Sequence, residues 1–398
     1  MRIAFLTSEY VTEKNFDGGL AQYLSRVAGG LSLRGHEVEI FVRSDVTETV
    51  VMEGVTVHRL RWKAWRWRVL NRLTAAKLLH SIEALALSHA LAEALKARHR
   101  KKPFDVVQAS SYSACGLFAS FDRSLPVVVR ISSYEPAWRQ NYRRRLSVDQ
   151  RLAEELERQA MAGCRALYAP SRLLADICSR AVKRTVEVIR PPFMLDHGDL
   201  DVSVYERELQ GKKYLLFFGT LGLLKGGEAL AQSLPGILRR YGDMYFVFAG
   251  KVLSDRSGGD MLDHIRREAG DVAGRIIALG VLPQAQLRPV IERAQGVVLP
   301  SLVDNLPNAL LESMALGKVV IGTRGASFDE MIEDGVSGRL VGRDAPGELS
   351  AVMEQVWNMP EADRQRIGAG ARERIAALSP ELSCARLEEF FEKAKGDL

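Results

Sequence analysis

The residues best suited to chemistry lie in one stretch, Pro300 to Val341: PSLVDNLPNALLESMALGKVVIGTRGASFDEMIEDGVSGRLV. Two carboxylates, Asp304 and Glu312, stand with seven residues between them around the start of a helix. Pro307 suits the first helical turn, where its missing N–H costs nothing, and Gly317 suits the stop. The unpaired N–H groups of a first turn form a donor-rich, positive pole that binds phosphate or sugar hydroxyls. Asp304 just before that pole and Glu312 two turns in add acceptors for hydroxyl groups. A sugar nucleotide presents both kinds of group. The same residues also fit a plainer role, an acidic helix cap and a solvated glutamate, and spacing alone does not separate the two.

These residues need a scaffold, and the chain alternates short β-rich runs with helical patterns almost throughout. Ile3 to Thr7, Glu37 to Val42, Asp105 to Gln108 and Val127 to Ile131 read as strands. A glycine turn at Asp17-Gly18-Gly19 leads into helical spacing at Leu20, Tyr23, Leu24, Val27 and Leu31. After Pro191-Pro192 the alternation restarts, with strands at Tyr214–Gly219, Tyr245–Gly250, Arg275–Gly280, Gly296–Pro300 and Val319–Thr323. This α/β pattern builds parallel sheets covered by helices on both faces. Two Rossmann-like, doubly wound domains are expected, at residues 1–195 and 196–375, with a C-terminal helix at 376–398 packing back on the first. Ligands of such sheets bind at the carboxyl ends of the strands, so the expected site is an interdomain cleft.

Length and composition agree with two domains: 398 residues, 47% of them hydrophobic. No apolar run approaches the roughly 20 residues of a membrane span, and the start, with Glu9 and Glu13 after its strand pattern, does not read as a signal peptide. Cys115, Cys164, Cys178 and Cys384 show no metal or redox spacing and read as buried or free thiols of a reducing compartment. The seven histidines include no pair at metal-ligand spacing, and His36 reads as structural. Charge is uneven: residues 1–200 hold 31 Lys and Arg against 21 Asp and Glu, the remainder 24 against 28. The two halves should therefore face different partners.

The stretch around Asp304 and Glu312, P-S-x-x-D-N-x-P-N-x-L-L-E-S-M-A-x-G-K, resembles the E-x7-E signature of retaining family 4 glycosyltransferases with the GT-B fold. The likeness extends to Gly322-Thr323-Arg324-Gly325, Glu330, Asp334-Gly335, Ser337-Gly338 and Leu340-Val341. It continues in Lys225-Gly226, Gly18-Gly19, Arg34 to Val38 and Pro170-Ser171, and so covers nearly the whole chain. The resemblance implies roles. Glu312 holds the ribose hydroxyls, Asp304 faces the donor sugar, and the backbone at Asn305, Leu306 and Pro307 contacts sugar or diphosphate. Lys225 neutralises the leaving diphosphate. Gly18 and Gly19 let backbone approach diphosphate and acceptor, Gly219 and Thr220 belong to the donor loop, and Gly280 and Val281 lie beside the base. It also implies transfer with retention and without a metal, the nucleotide sugar being a substrate and no further cofactor being required.

Three positions depart from the pattern. Asp304 replaces a glutamate, withdrawing the carboxylate by roughly 1.5 Å. Thr220 stands where an arginine is common. Ser132, after Val127-Val128-Val129-Arg130-Ile131, stands where a histidine often faces the sugar, which makes Arg130 and Ser132 the acceptor-side candidates.

A basic aromatic stretch, Arg59-Leu60-Arg61-Trp62-Lys63-Ala64-Trp65-Arg66-Trp67-Arg68 and then Arg72, holds three of the five tryptophans; Trp138-Arg139 and Arg143-Arg144-Arg145 form a second cluster. Trp beside Arg suits a membrane interface or an anionic acceptor, and equally a loop and helix whose tryptophans pack inside. No nucleic-acid-binding module accompanies the charge. The sequence thus points to a cytoplasmic glycosyltransferase, peripheral on the inner face of the membrane. Its donor is a UDP- or GDP-sugar, its acceptor a glycan or lipid-linked saccharide, and its anionic-membrane contact lies at 59–72. The competing readings are a sugar-nucleotide epimerase of similar fold and a non-catalytic sugar-nucleotide or membrane-binding homologue.

Overall fold

A computed structural model describes residues 1–13, 19–61, 72, 74, 77–139, 146–195 and 198–396. The chain divides into two compact units, Met1–Phe193 with Leu378–Leu398, and Met194–Ala377. Among the described residues no helix is long and apolar enough to cross a membrane.

The first unit is built on eight strands: β1 (Arg2–Thr7), β2 (Glu37–Ser44), β3 (Glu48–Met52), β4 (Val55–Arg61), β5 (Val106–Ser110), β6 (Val127–Arg130), β7 (Ala166–Ala169) and β8 (Glu187–Val188). Their order is β3-β4-β2-β1-β5-β6-β7-β8, parallel except for β3 against β4. The central strands are apolar on both faces because both faces are covered. Strand geometry sends successive side chains to opposite sides. Ala4 and Leu6, Val107 and Ala109, and Val127 and Val129 enter one core with Leu87, Leu91 and Phe104 from the helix Leu79–His99 and the loop after it. Ile3, Phe5, Val106 and Val128 enter the other with Tyr23, Leu24 and Val27 of the helix Gly19–Leu33 and Phe390 and Phe391 of the helix Pro380–Gly396. On the fully covered face of β2, Glu39 is 1% exposed. Burial pushes its carboxyl up, but hydrogen bonds from His58, Arg98 and Arg2 outweigh that and hold it at about 2. All four cysteines are buried free thiols.

The β3–β4 hairpin is absent from the sequence reading, which took Arg59 to Arg68 as one basic aromatic stretch. Its two-residue turn, Glu53-Gly54, has positive φ at both positions (52° and 77°), the backbone that matches the twist of paired strands. Arg59 to Arg61 are therefore strand residues. Arg59 is held by Glu13 at 2.8 Å and by Glu48, and so is removed from surface duty. In the second cluster Trp138 packs against the first core and Arg139 pairs with Glu154 at 2.7 Å. The packed alternative thus describes Trp138. Residues 62–71 and 140–145 lie outside the described residues.

The second unit carries six parallel strands: β9 (Lys213–Phe218), β10 (Met244–Ala249), β11 (Ile276–Ala278), β12 (Gly296–Leu299), β13 (Val320–Thr323) and β14 (Arg339–Val341). The order is β11-β10-β9-β12-β13-β14. The winding reverses between β9 and β12, so their carboxyl-end loops flank the crevice where ligands of such sheets sit. In the first unit the corresponding reversal lies between β1 and β5.

Candidate active site

In the second unit the ends of β9, β10 and β11 form a ledge of bare backbone. Gly219 N–H donates to Ala249 O at 2.9 Å and Gly250 N–H to Gly280 O at 2.7 Å. Gly250 has φ of +140°, and a Cβ there would stand 1.9 Å from Gly219 O, so only glycine fits. The sequence reading used Gly219 and Gly280 and passed over Gly250, although it ends a strand just as they do. Gly280 and the 65% exposed Val281 open the loop before the helix Gln284–Arg293.

The loops after β9 and β12 are locked together. After half-buried Thr220, Leu223–Lys225 make one 3₁₀ turn, and Gly226 (φ +82°) caps the helix Gly227–Arg240. A Cβ on Gly226 would meet Pro300 O at 2.1 Å, and Leu302 N–H donates to Leu224 O at 2.9 Å. This brings Lys225 and Asp304, 79 residues apart, to a 2.5 Å contact between Nζ and Oδ2. Ser301, 2% exposed, donates to the same oxygen at 3.0 Å. The resemblance implies separate roles for Lys225 and Asp304; the fold makes them one charge-paired unit.

The amides after Asp304 are engaged within the chain. Asn305 N–H reaches Asp304 Oδ1 at 3.0 Å, and Leu306 N–H reaches Ser327 Oγ at 3.0 Å. Without a ligand, both N–H groups are thus taken up within the turn. Leu306 and Ser327 both have positive φ, 47° and 66°. Left-handed backbone at non-glycine residues costs roughly 1 kcal/mol each and persists where surrounding structure fixes it. Ser301 and Ser327 were missed by sequence reasoning; the only signal is a serine one residue past each of Pro300 and Ala326.

Pro307 is the cap of the helix Asn308–Ala315 and not part of its first turn. Proline offers no side-chain acceptor, so the cap residue itself gives this N-terminus no side-chain hydrogen bond. The helix ends as expected at Gly317, whose N–H bonds Met314 O while Lys318 N–H bonds Ser313 O, at 2.9 Å each. Glu312 faces the start of the next-door helix, 3.5 Å from Gln284 Nε2, on the side of the Gly280–Val281 loop. Arg324 is committed to Glu348 and Asp334, at 2.9 and 3.1 Å, and supplies no charge to this loop.

In the first unit a cavity of about 580 Å³ opens at the β1–β5 reversal, between Ser8 after β1 and Tyr112 after β5. Carboxylates dominate its charged lining (Glu9, Glu13, Asp45, Glu83, Glu135, Glu154 and Glu157) against Arg43 and His80. Burial raises Glu157 to about 8, with Glu154 and Glu135 adding to the shift against a 3.0 Å hydrogen bond from Ser113 N–H. Sequence reasoning saw the basic excess of this half and missed the acidic cavity within it, because the carboxylates come from five separate segments.

Arg130 and Ser132 sit past the reversal, at the end of β6. Arg130 is 6% exposed, stacks 3.6 Å above the Tyr23 ring, and donates through Nη1 to Ser132 Oγ at 3.0 Å. Ser132 Oγ contacts Ser110 Oγ at 3.0 Å. Gly19 is the exposed first residue of the helix carrying Tyr23; Gly18 lies outside the described residues. Among the described residues no group of three or more His, Cys, Asp and Glu could hold a metal ion.

Two family models match the chain: a glycosyl transferase 4-like domain over residues 18–192 and glycosyl transferases group 1 over residues 212–359. An uncharacterized glycosyltransferase of Methanocaldococcus jannaschii is 23% identical over 391 residues, covering 91% of each chain. Among solved structures, sucrose-phosphate synthase from Thermosynechococcus elongatus superposes with a TM-score of 0.77 at 16% identity, over 100% of both chains. Anabaena HepE, solved with UDP and glucose, gives 0.68 at 15% identity, over 99% of this chain and 100% of its own. Sequence models spanning most of the chain and a fold shared from end to end agree: this protein belongs to the group 1 glycosyltransferases and has their GT-B fold of two Rossmann-like units.

Proposed function

We propose that the protein moves a sugar from a nucleoside diphosphate sugar, UDP- or GDP-linked, to a hydroxyl of a glycan or lipid-linked acceptor, with retention and without a metal. The observation that carries this reading is the Lys225–Asp304 pair held by two interlocked loops at the winding reversal of the second unit. The complex of HepE with UDP supports UDP as the first nucleotide to test. Lys225 then meets the diphosphate, Asp304 a sugar hydroxyl, and Glu312 the ribose. The bond between the anomeric carbon and the phosphate oxygen breaks, the acceptor oxygen bonds to that carbon on the same face, and a diphosphate oxygen takes the acceptor's proton. The protein contributes position and charge rather than a nucleophile.

The cavity of the first unit is the acceptor pocket in this reading. Its carboxylates accept hydrogen bonds from hydroxyls and repel an anion, so the end of the acceptor that enters it is neutral or cationic. Contact with an anionic membrane, if made through 59–72, draws on Arg61, Arg66 and Arg68 and not on the internally paired Arg59. Neutralising those three with no change in binding to anionic vesicles removes that part. The main test is turnover of UDP- and GDP-sugars with proton-NMR assignment of the anomeric product. A retained configuration in metal-free buffer supports the reading; inversion, or a strict need for added metal, refutes it.

A further inference from the structure

We infer that Arg130, with Ser132 and Ser110, forms an oxyanion site in the first unit that takes a phosphoryl group. Arg130 is a guanidinium 94% removed from solvent by its 6% exposure. An arginine cannot shed its charge as a buried lysine or glutamate can. Among the described residues it has no carboxylate partner. Its protein contacts are Tyr23, through both ring and hydroxyl, and Ser132 Oγ, and its Nε is buried with no hydrogen-bond partner. A buried charge without a counter-charge is costly, and so is a buried donor without an acceptor. By contrast, Lys225, Arg59 and Arg139 are each answered by a carboxylate: Lys225 by Asp304, Arg59 by Glu13, Arg139 by Glu154.

The surroundings are arranged for an oxyanion. Ser110 ends β5 and Ser132 follows the end of the adjacent parallel β6 by two residues, their hydroxyls in contact and backed by the guanidinium. Ser111 Oγ takes the Ser132 N–H at 3.1 Å, which fixes the turn. The aromatic plate beneath Arg130 is itself anchored, Tyr23 Oη lying 2.9 Å from Tyr168 Oη. A planar fork on a rigid aromatic face with two hydroxyls in front suits the tetrahedral oxygens of phosphate better than a neutral sugar. It also answers the third departure from the family pattern: where a neutral or weakly basic histidine is common, this chain has Ser132 backed by a permanent cation. The phosphoryl group is either the donor's diphosphate or a phosphate ester on the acceptor. That choice rests on the transferase reading; binding of the oxyanion itself does not.

The test measures binding by titration calorimetry and thermal shift for the wild-type chain, Arg130→Met, Arg130→Lys and Ser132→Ala. The probes are UDP, GDP, glycerol phosphate and inorganic phosphate, with uridine and glycerol as phosphate-free controls. Arg130→Met should weaken at least one phosphate-bearing probe about tenfold or more, with partial recovery in Arg130→Lys and no change for the controls. Its melting temperature without ligand should stay level or rise, because an unpaired buried charge has gone. Loss confined to UDP or GDP assigns the donor's diphosphate; loss for glycerol phosphate and inorganic phosphate assigns the acceptor. If Arg130→Met does not fold, Arg130→Lys and Ser132→Ala carry the same comparison. Affinities within twofold of wild type for all phosphate probes overturn the proposal, as does a melting loss with no affinity change, which marks Arg130 as packing alone. A wild-type chain that binds phosphate and no nucleotide supports the oxyanion site and refutes the donor reading; a Lys225→Ala loss of UDP binding beside unaffected Arg130 variants does the reverse.

Discussion

Lys225 and Arg130 occupy equivalent places, each at the carboxyl end of a parallel sheet, and their electrostatics are opposite. Lys225 is one-third exposed and neutralised at 2.5 Å by Asp304; Arg130 is almost wholly buried and faces no described carboxylate. The difference shows two ways of keeping a cation ready for phosphate. A paired cation costs little to hold, since a partly exposed ion pair contributes under about 1 kcal/mol, and a ligand must compete with the partner. An unpaired buried cation is held at constant expense, and a ligand relieves it. Glu157 sharpens the contrast within the same unit: a buried carboxyl can take up a proton, and at about 8 it is largely neutral at pH 7, an escape closed to arginine.

The largest way to break this comparison is at the chemistry. Lys225→Ala should lower kcat by roughly 10²- to 10³-fold, the usual loss when one preorganised charge-stabilising group is removed, while the melting temperature moves little. A kcat within threefold of wild type would transfer the diphosphate role elsewhere, Arg130 first. Asp304→Asn keeps the shape of the pair and removes its charge. It should depress kcat by about 10-fold or more, with a smaller change in KM, if Asp304 holds the sugar in the transition state.

Next in size is the scaffold. Gly250→Ala places a methyl 1.9 Å from a backbone oxygen at φ +140°, so the second unit should lose about 2 kcal/mol or more of stability. Gly219 in contrast has open space around it despite a φ of +118°, and Gly219→Ala should cost roughly half as much. Calorimetry that resolves the two units reads both, and equal losses would show that strain rather than crowding dominates the ledge.

The smallest effects are in pH dependence. Glu157 is raised from 4.5 to about 8, so between those values the folded chain holds a proton that the unfolded chain has released. Stability from this group should decline as pH rises from about 5 to about 8, and Glu157→Gln should flatten the melting curve over that range. Glu39 has the opposite sign. Lowered from 4.5 to about 2, it contributes above pH 4.5 and loses that contribution as pH falls towards 2. Glu39→Gln should make the acid limb shallower, since Asp149 and Glu155 are also held at about 2, and leave the Glu157 limb in place.

The fold was legible where the signal was local. Parallel strands covered on both faces are continuous apolar runs, and β1, β5, β6, β9, β10 and β12 stand close to where periodicity put them. The β3–β4 hairpin was not, because its short edge strand buries no face and its turn depends on a glutamate in left-handed backbone. At the site, Asp304 and Glu312 were readable as a pair because one helix start carries both. Pro307 slipped by one position, from first turn to cap, because a strand-to-helix junction is defined by dihedral angles that proline satisfies on either side.

The sequence by itself determined the family, the two-unit α/β plan, and which residue types stand at each strand end, because these follow from hydrophobic period and motif spacing along the chain. Only the tertiary structure decided which charges answer one another. Lys225 meets Asp304 across 79 residues, five separate segments pool their carboxylates into one cavity, and Arg130 is left facing an aromatic ring and a serine. Charge pairing and burial depend on distance in space, which no local pattern of residues encodes.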